Sequence, residues 1–268
     1  MKKLHQWLYY AGSIFKIIGG FRNWPQIIPL FLRPKANGEH LIKLRRSPVV
    51  LTLRGAMDVW AVKETFLDEF YTRYGVPVQD GWTVVDIGAG IGDFSIYAAF
   101  GRPETKVYAF EPYPGSFLLL NENLEQNAMV NIFPFQQAIW GKAGELTLDL
   151  SVGEPLQFSS REVVVEPGKT RQIKVHAVTL SDVLSQQALD RVDLLKLDCE
   201  GAEYEILMNA PIEFLMKIQR IVMEYHNVDV DHTHVQLIRF LESVGYTVSW
   251  EQNIVHEEIG YLFAARVM

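Results

Sequence analysis

The stretch VVDIGAGIGDFSIYAA, residues 84–99, sets Asp86 two residues ahead of the first of three glycines, Gly88, Gly90 and Gly92. Glycines spaced this way let a turn of backbone pass close to a ligand, and the amides that open the following helix are free to meet it. Glu111 stands 25 residues after Asp86, at the end of the next apolar run, KVYAFEP, where a carboxylate can accept both hydroxyls of a ribose. A pyrophosphate site would want glycine at the position Asp93 holds, and a carboxylate there repels phosphate. A phosphate-free nucleoside with a cationic centre fits instead, and S-adenosylmethionine has that description. Asp86 is then expected to face its amino group, directly or through water, and the glycine backbone its methionine part.

A second set of chemical groups follows two later apolar runs. DLLKLD ends in Asp198, followed by Cys199, Glu200, Gly201, Ala202 and Glu203; RIVMEYHN carries Glu224, His226 and Asn227. Transfer of the methyl group of such a ligand is an in-line displacement that needs the accepting atom aligned and its proton removed. His226 is the expected base because an imidazole titrates near neutral pH, with a structural histidine at a strand end as the alternative. Asp198 and Glu224 are expected as neighbours at adjacent strand ends, with Glu200 facing the cleft and Glu203 capping the next helix. Clustered carboxylates raise one another's pKa unless a cation intervenes, and Arg54 and Lys196 are the candidates. Cys199, between two acids, reads as packing; His232 and His234 read as a solvated helix start. Trp60, Tyr71 and Tyr74 suit either a sugar ring or the core.

These groups need a scaffold. From Gly81 onward, strands expected over 83–87, 106–111, 131–136, 193–198 and 219–225 alternate with helices over 92–100, 114–127, 203–209 and 233–244, the pattern of a parallel sheet covered on both faces. Residues 144–178 read as an inserted hairpin whose far loop holds Pro167 and Gly168, and the chain finishes in an antiparallel strand pair. Ahead of this lie an amphipathic helix in LHQWLYYAGSIFKII that stops at Gly19 and Gly20, a short hairpin turning near Ser47 and Pro48, and a helix over 57–71. The division expected is an N-terminal extension over 1–78, serving as lid or contact surface, and a cofactor-binding catalytic domain over 79–268.

The blocks VVDIGAGIGDFSIYAA, VYAFEPYPGSFLLLNENLEQN and VDLLKLDCEGAEYEIL, the last at 192–207, resemble the FkbM-type family of class I S-adenosylmethionine-dependent O-methyltransferases. The resemblance covers roughly residues 50–265. It implies a Rossmann-like, mostly parallel seven-stranded α/β sheet with a terminal antiparallel hairpin. It assigns Asp86, Gly88, Gly90 and Gly92 to the methionine end and Glu111 to the ribose, and it places Gln137 and Ala138 near the base. The implied activity is methylation of a hydroxyl on a sugar, a glycolipid or polysaccharide, or a natural product. Metal-dependent catechol-type methyltransferases have a similar layout after strands four and five, which would give Asp198, Glu224 and Asn227 to a hard divalent cation such as Mg2+.

Charge is divided unevenly. Residues 1–54 hold ten Lys or Arg against the single acid Glu39, while the whole chain is at −7. The acidic body excludes nucleic acid as a partner, and the basic arm is expected either at an anionic membrane surface or docked on the body. A single cysteine excludes an intrachain disulfide and fits a reducing, cytoplasmic setting. The sequence leaves open a homodimer, a nicotinamide-dependent oxidoreductase built on the glycine turn, and a binding module that kept only the fold.

Overall fold

The computed structural model of the chain describes residues 2–32, 38–73, 75, 77–150 and 172–266. The loop with Pro167 and Gly168, and Tyr74, lie outside them. Two helices come first, α1 (Lys2–Gly20) and α2 (Trp24–Leu32), then the hairpin β1 (His40–Lys43) and β2 (Val50–Leu53) and helix α3 (Ala56–Lys63). The body runs β3 (Thr83–Ile87), α4 (Asp93–Ala99), β4 (Lys106–Phe110), α5 (Pro114–Gln126), β5 (Ile132–Phe135), β6 (Ala138–Ile139), β7 (Gly144–Asp149), β8 (Gln172–Val178) and α6 (Leu180–Gln186). It continues through β9 (Leu194–Leu197), α7 (Glu203–Met208), α8 (Ile212–Leu215), β10 (Arg220–His226), α9 (His234–Ser243), β11 (Tyr246–Gln252) and β12 (Ile259–Arg266).

Seven strands form one sheet in the order β11-β12-β10-β9-β3-β4-β5. β12 runs antiparallel to both its neighbours, and β3, β4, β5, β9 and β10 are mutually parallel. The central strands explain their own position: LLKL of β9 is buried at every residue, as a strand covered on both faces must be. Parallel register sets Asp86 of β3 opposite Lys196 of β9, so one acid and one base enter the core side by side. The inserted hairpin is confirmed as β7 and β8, and β6 joins it in a separate three-stranded sheet. Helix α6, absent from the expected elements, is opened by a capping box between Thr179 and Asp182. Its TLSD signal is present in the sequence, but its seven residues carry too little periodicity to stand out beside the neighbouring strands.

The extension is joined to the body by side chains that imitate a strand edge. Asn123 of α5 accepts from the Thr52 amide at 2.6 Å and donates to the Thr52 carbonyl at 3.0 Å. One helical turn on, Asn127 does the same for Val50, at 3.0 and 2.7 Å. The i, i+4 spacing matches two alternate residues of β2, so the helix supplies the partner that the edge of the hairpin lacks. Apolar residues from both segments, Ile17, Phe21, Leu51 and Val59 from the extension and Val84, Phe94 and Leu120 from the body, then pack in one continuous core.

The helix expected over 57–71 is regular only to Lys63. Residues Glu64–Asp68 wind as a π-helical turn, closed by Glu69 in the left-handed region at φ 54°. A π-turn inserts one residue and rotates the chain beyond it, which re-aims side chains.

Asn123 donates a further bond to the Ile91 carbonyl at 2.8 Å, so its removal strands three buried backbone groups. Asn123→Ala is expected to lower the free energy of unfolding by about 3 kcal/mol, and Asn127→Ala, at a half-buried site, by less. Urea denaturation of the two variants checks the order.

Candidate functional site

The loop after β3 is shaped by the parts of the protein behind it. Gly88, at φ 72°, has the Asp198 carbonyl where a side chain would begin: an added Cβ would sit 1.8 Å from that oxygen. Gly92, at φ 86°, is pressed by Leu120 of α5 in the same way, at 2.4 Å. Both are glycine because another part of the protein approaches, and Gly92 does not reach the cavity. Gly90, at φ 56°, does line it, and its amide donates to Glu111 Oε2 at 2.8 Å.

Lys196 lies beneath the loop. Its ammonium is 3.1 Å from Asp86 Oδ1, 4.0 Å from Asp198 Oδ2, and donates to the Gly88 carbonyl at 2.8 Å. Burial alone would discharge it; Asp86, then Asp198 and Asp93, outweigh burial and hold its pKa above the ordinary lysine value. Asp86 is buried between Lys196 and the Ser95 hydroxyl, which donates to it at 2.6 Å, and is absent from the cavity wall. The expected contact of Asp86 with a ligand's amino group is therefore corrected to a supporting one: its carboxylate is used up in fixing Lys196. Arg54, the other candidate cation, pairs with Asp58 through two bonds of 3.0 Å.

One cavity unites most of the remaining candidates. Gly88, Gly90, Glu111, Gln137, Ala138, Asp198, Glu200 and Glu224 all line it, as do Trp60 and Tyr71. Glu111 accepts the amides of Gly90 and Tyr113, each at 2.8 Å; burial nevertheless pushes its carboxyl up to about 7. Asp93 accepts the Thr65 hydroxyl at 2.5 Å and is raised by burial to about 6. Asp198 accepts the Tyr71 hydroxyl at 2.8 Å.

His226 is placed differently from the expectation. Its ring does not line the cavity: Nδ1 is 3.2 Å from Glu203 Oε1 and Nε2 is 3.4 Å from Glu200 Oε2. Burial lowers its pKa, but Glu203 and then Glu200 more than reverse this and push it up to about 10. An imidazolium held between two carboxylates has no vacant nitrogen for a proton, so His226 is corrected from base to brace. Asn227 also turns away. Its Oδ1 accepts from the His234 amide at 2.7 Å and contacts the His234 ring at 3.0 Å, so it helps fix the start of α9 rather than a metal. Among the described residues, Asp198, Glu224 and His226 are the set whose donor atoms come within 4.8 Å of one another.

The DCEGAE segment has a local logic. Glu200, at φ 54°, and Gly201, at φ 98°, turn the chain sharply off β9. Glu203 then folds back under the turn, accepting the Cys199 and Gly201 amides at 3.3 Å; these lie ahead of α7, whose first turn has no side-chain cap, so its expected capping role is corrected to bracing the turn. The thiol of Cys199 is raised well above its usual value by burial and by Glu203, as an inert packing group.

Glu64 is a site residue to which the sequence did not point. The π-turn sets it in the cavity wall, where it accepts from the Trp60 indole at 2.8 Å and the Tyr261 hydroxyl at 3.5 Å. Burial and Asp198 push its carboxyl up to about 8 against the pull of Lys63, and Glu224, half-buried beside Asp198 and Glu64, is raised well above the carboxylate range. Trp60 and Glu64 stand at helical i, i+4 spacing in VWAVKETF, but nothing in that pattern distinguishes a π-turn from another helical turn.

Comparison with known proteins fits this layout. The family model described as the methyltransferase FkbM domain matches residues 86–248. The 31-O-demethyl-FK506 methyltransferase FkbM of Streptomyces tacrolimicus is 29% identical over 238 residues, 79% of this chain and 90% of that protein. Methyltransferase sdnD of Sordaria araneosa is 30% identical over 214 residues, 70% of this chain and 81% of that protein. Among solved structures, methyltransferase FkbM from Methylobacillus flagellatus KT superposes with a TM-score of 0.51 at 14% identity, covering 74% of this chain and 47% of that one, a likeness of fold alone. With the family model spanning well over half of it, the chain belongs to the FkbM methyltransferase family, on a class I methyltransferase sheet.

Proposed function

We propose that the cavity binds S-adenosylmethionine and passes its methyl group to a hydroxyl of a sugar, glycoconjugate or natural product with an apolar body. The observation that carries this reading is that the glycine loop, Glu111 and the carboxylates at the ends of β9 and β10 open on one cavity. The cofactor supplies an electrophilic methyl on a cationic sulfur. Gly90 borders its methionine part, Glu111 holds the ribose hydroxyls, and Gln137 and Ala138 flank the base. Trp60, Met57, Leu146 and Leu148 give the acceptor side an apolar wall, in keeping with a hydrophobic or sugar-ring substrate. Similarity to the Streptomyces protein, a 31-O-demethyl-FK506 methyltransferase, supports an oxygen acceptor.

In the transfer, the acceptor oxygen forms a bond to the methyl carbon, the sulfur keeps the electron pair of the broken bond, and the hydroxyl proton passes to a carboxylate. Either Glu224 or Glu64 receives that one proton. Glu64 is raised to about 8 and Glu224 well above the ordinary carboxylate range, first by burial, and an ionised carboxylate so raised is a stronger base. Tyr71 orients Asp198 at the edge of the same zone. A second reading places a divalent cation between Asp198 and Glu224, favoured by the donor spacing there.

The direct test is transfer of labelled methyl from S-adenosylmethionine to a panel of hydroxylated glycosides and amphiphiles. Glu64→Gln and Glu224→Gln are each expected to cut turnover by about two to three orders of magnitude and to keep S-adenosylhomocysteine affinity nearly unchanged. Full turnover in both variants would remove the carboxylates from the reaction. Dialysis against a chelator separates the two readings: unchanged turnover supports carboxylates alone, and a loss restored by Mg2+ supports the cation.

Glu111 provides a pH test. Ribose hydroxyls donate more strongly to the ionised carboxylate, which can accept at both oxygens, so binding favours that form and lowers its pKa from about 7. Affinity must then rise with pH through that region and level off above it. Calorimetry with S-adenosylhomocysteine is expected to show affinity about fourfold weaker at pH 6.5 than at pH 8. Glu111→Gln should bind more weakly at pH 8 and lose that step; affinity that strengthens toward pH 6.5 in the unaltered protein contradicts the assignment.

A further inference from the structure

Helix α1 carries its apolar stripe on the wrong side for a core helix. Tyr9, Ser13 and Ile17, at successive four-residue steps, face the body: Ile17 and Ser13 are buried and Tyr9 packs edge-on to Trp60 with ring centroids 5.9 Å apart. Trp7, Leu8, Ala11, Ile14, Phe15 and Ile18 form a second stripe on the opposite side of the helical wheel. Trp7 is 75% exposed and Phe15 73%, with Leu8 and Ile14 also exposed. Among the described residues nothing covers that stripe, and an apolar surface of this kind marks a contact site.

Cations gather at the C-terminal end of this stripe. The Arg45 guanidinium donates to the Ile18 carbonyl at 3.3 Å, and the Arg45 amide to that of Gly20 at 2.8 Å. The Arg22 amide donates to the Lys43 carbonyl at 2.7 Å, which brings Arg22, Lys43, Arg45 and Arg46 to one exposed corner. Two occupants fit an apolar stripe: a bilayer surface, and a second copy of the chain. A twofold contact would cover the stripe but, since α1 carries no acidic residue, would bring no counter-charge from it to the basic corner. An anionic bilayer pairs with both parts at once. No described helix is long and apolar enough to cross a membrane, so the contact is one of lying in the interface.

Its position relative to the cavity gives the contact a purpose. Tyr9 and Tyr10 of α1 and Phe31 of α2 all pack on Trp60, with centroids 5.9, 6.0 and 6.4 Å from it, and Trp60 lines the cavity. The exposed Leu32 continues this apolar edge at 79% exposure. We infer that the outward stripe of α1, with the basic corner formed by Arg22, Lys43, Arg45 and Arg46, docks the protein on an anionic membrane surface and brings the acceptor side of the cavity to a membrane-borne amphiphile. The acceptor clause rests on the proposed function; the docking does not.

Co-sedimentation of the full chain with vesicles of phosphatidylcholine, alone and with phosphatidylglycerol, tests the docking. Strong binding is expected only with the anionic lipid, weakening as salt is raised. Trp7→Glu with Phe15→Glu should lower partition by about tenfold or more, and Arg22→Glu with Arg46→Glu should remove the preference for anionic lipid. Unchanged S-adenosylhomocysteine affinity in these variants shows that they are folded. Equal sedimentation of the unaltered chain with and without vesicles overturns the inference, as does a dimer in size-exclusion chromatography that Trp7→Glu dissociates while vesicle binding is absent. If docking holds and no hydroxylated amphiphile is methylated, the proposed reaction fails and the docking stands.

Discussion

The buried ammonium of Lys196 is the constraint on which the site is built. A cation in the middle of a parallel sheet is tolerated only when carboxylates surround it, and breaking such a pair costs about 3–5 kcal/mol. Register provides the first partner, since Asp86 is its cross-strand neighbour, and the end of its own strand provides the second, Asp198. The remaining donor goes to the Gly88 carbonyl. One side chain thereby ties the loop after β3 to the loop after β9, and Gly88 lacks a side chain because the two loops run so close. The cavity floor is rigid for this reason, and Asp86 is committed to keeping it so.

The roof is built by other means. The β1–β2 hairpin and the helices before it belong to the same core as the sheet, joined through the amides of Asn123 and Asn127 rather than through a shared strand. That attachment sets the direction of α3, and the π-turn at its end swings Glu64 over the carboxylates of β9 and β10. Beneath the turn, Lys63 pairs with Asp68 at 2.6 Å and lies 4.2 Å above the Trp60 ring, so the roof has its own buried ion pair.

Much of this was legible in the sequence because strand and helix periods differ, and the body alternates them cleanly. The strand ends that carry Asp86, Glu111, Asp198 and Glu224 fall where the apolar runs predict. What a side chain meets beyond its own strand was not legible. Asp86 and Gly92 have the right types and spacing for ligand contact, yet Lys196 and Leu120 claim them from elsewhere in the chain. His226 titrates near neutrality only if it is free of partners, and Glu203, which clamps it, is 23 residues away. Periodicity also finds the apolar stripe of α1 without saying what it faces. The expectation that such a stripe seeks the core is an average, and here the opposite stripe holds the helix to the body.

Under the proposed function, the distribution of charge in the cavity suits the pairing of a cationic methyl donor with a carboxylate base. Lys196 balances Asp86 and part of the field of Asp198; burial and Asp198 raise both Glu64 and Glu224 above the ordinary carboxylate range, and Lys63 offsets part of this for Glu64. A positive charge entering the cavity reverses that balance, because it stabilises the ionised form of every nearby carboxyl. Under the proposed function, then, Glu64 and Glu224 become competent to accept a proton when the methyl donor is in place. After transfer the sulfur is neutral and the same carboxyls regain their affinity for protons, which draws the acceptor's proton from its oxygen. Under the proposed function, arrival of the donor's positive charge thus shifts Glu64 and Glu224 toward the ionised form in which a carboxylate can accept the proton.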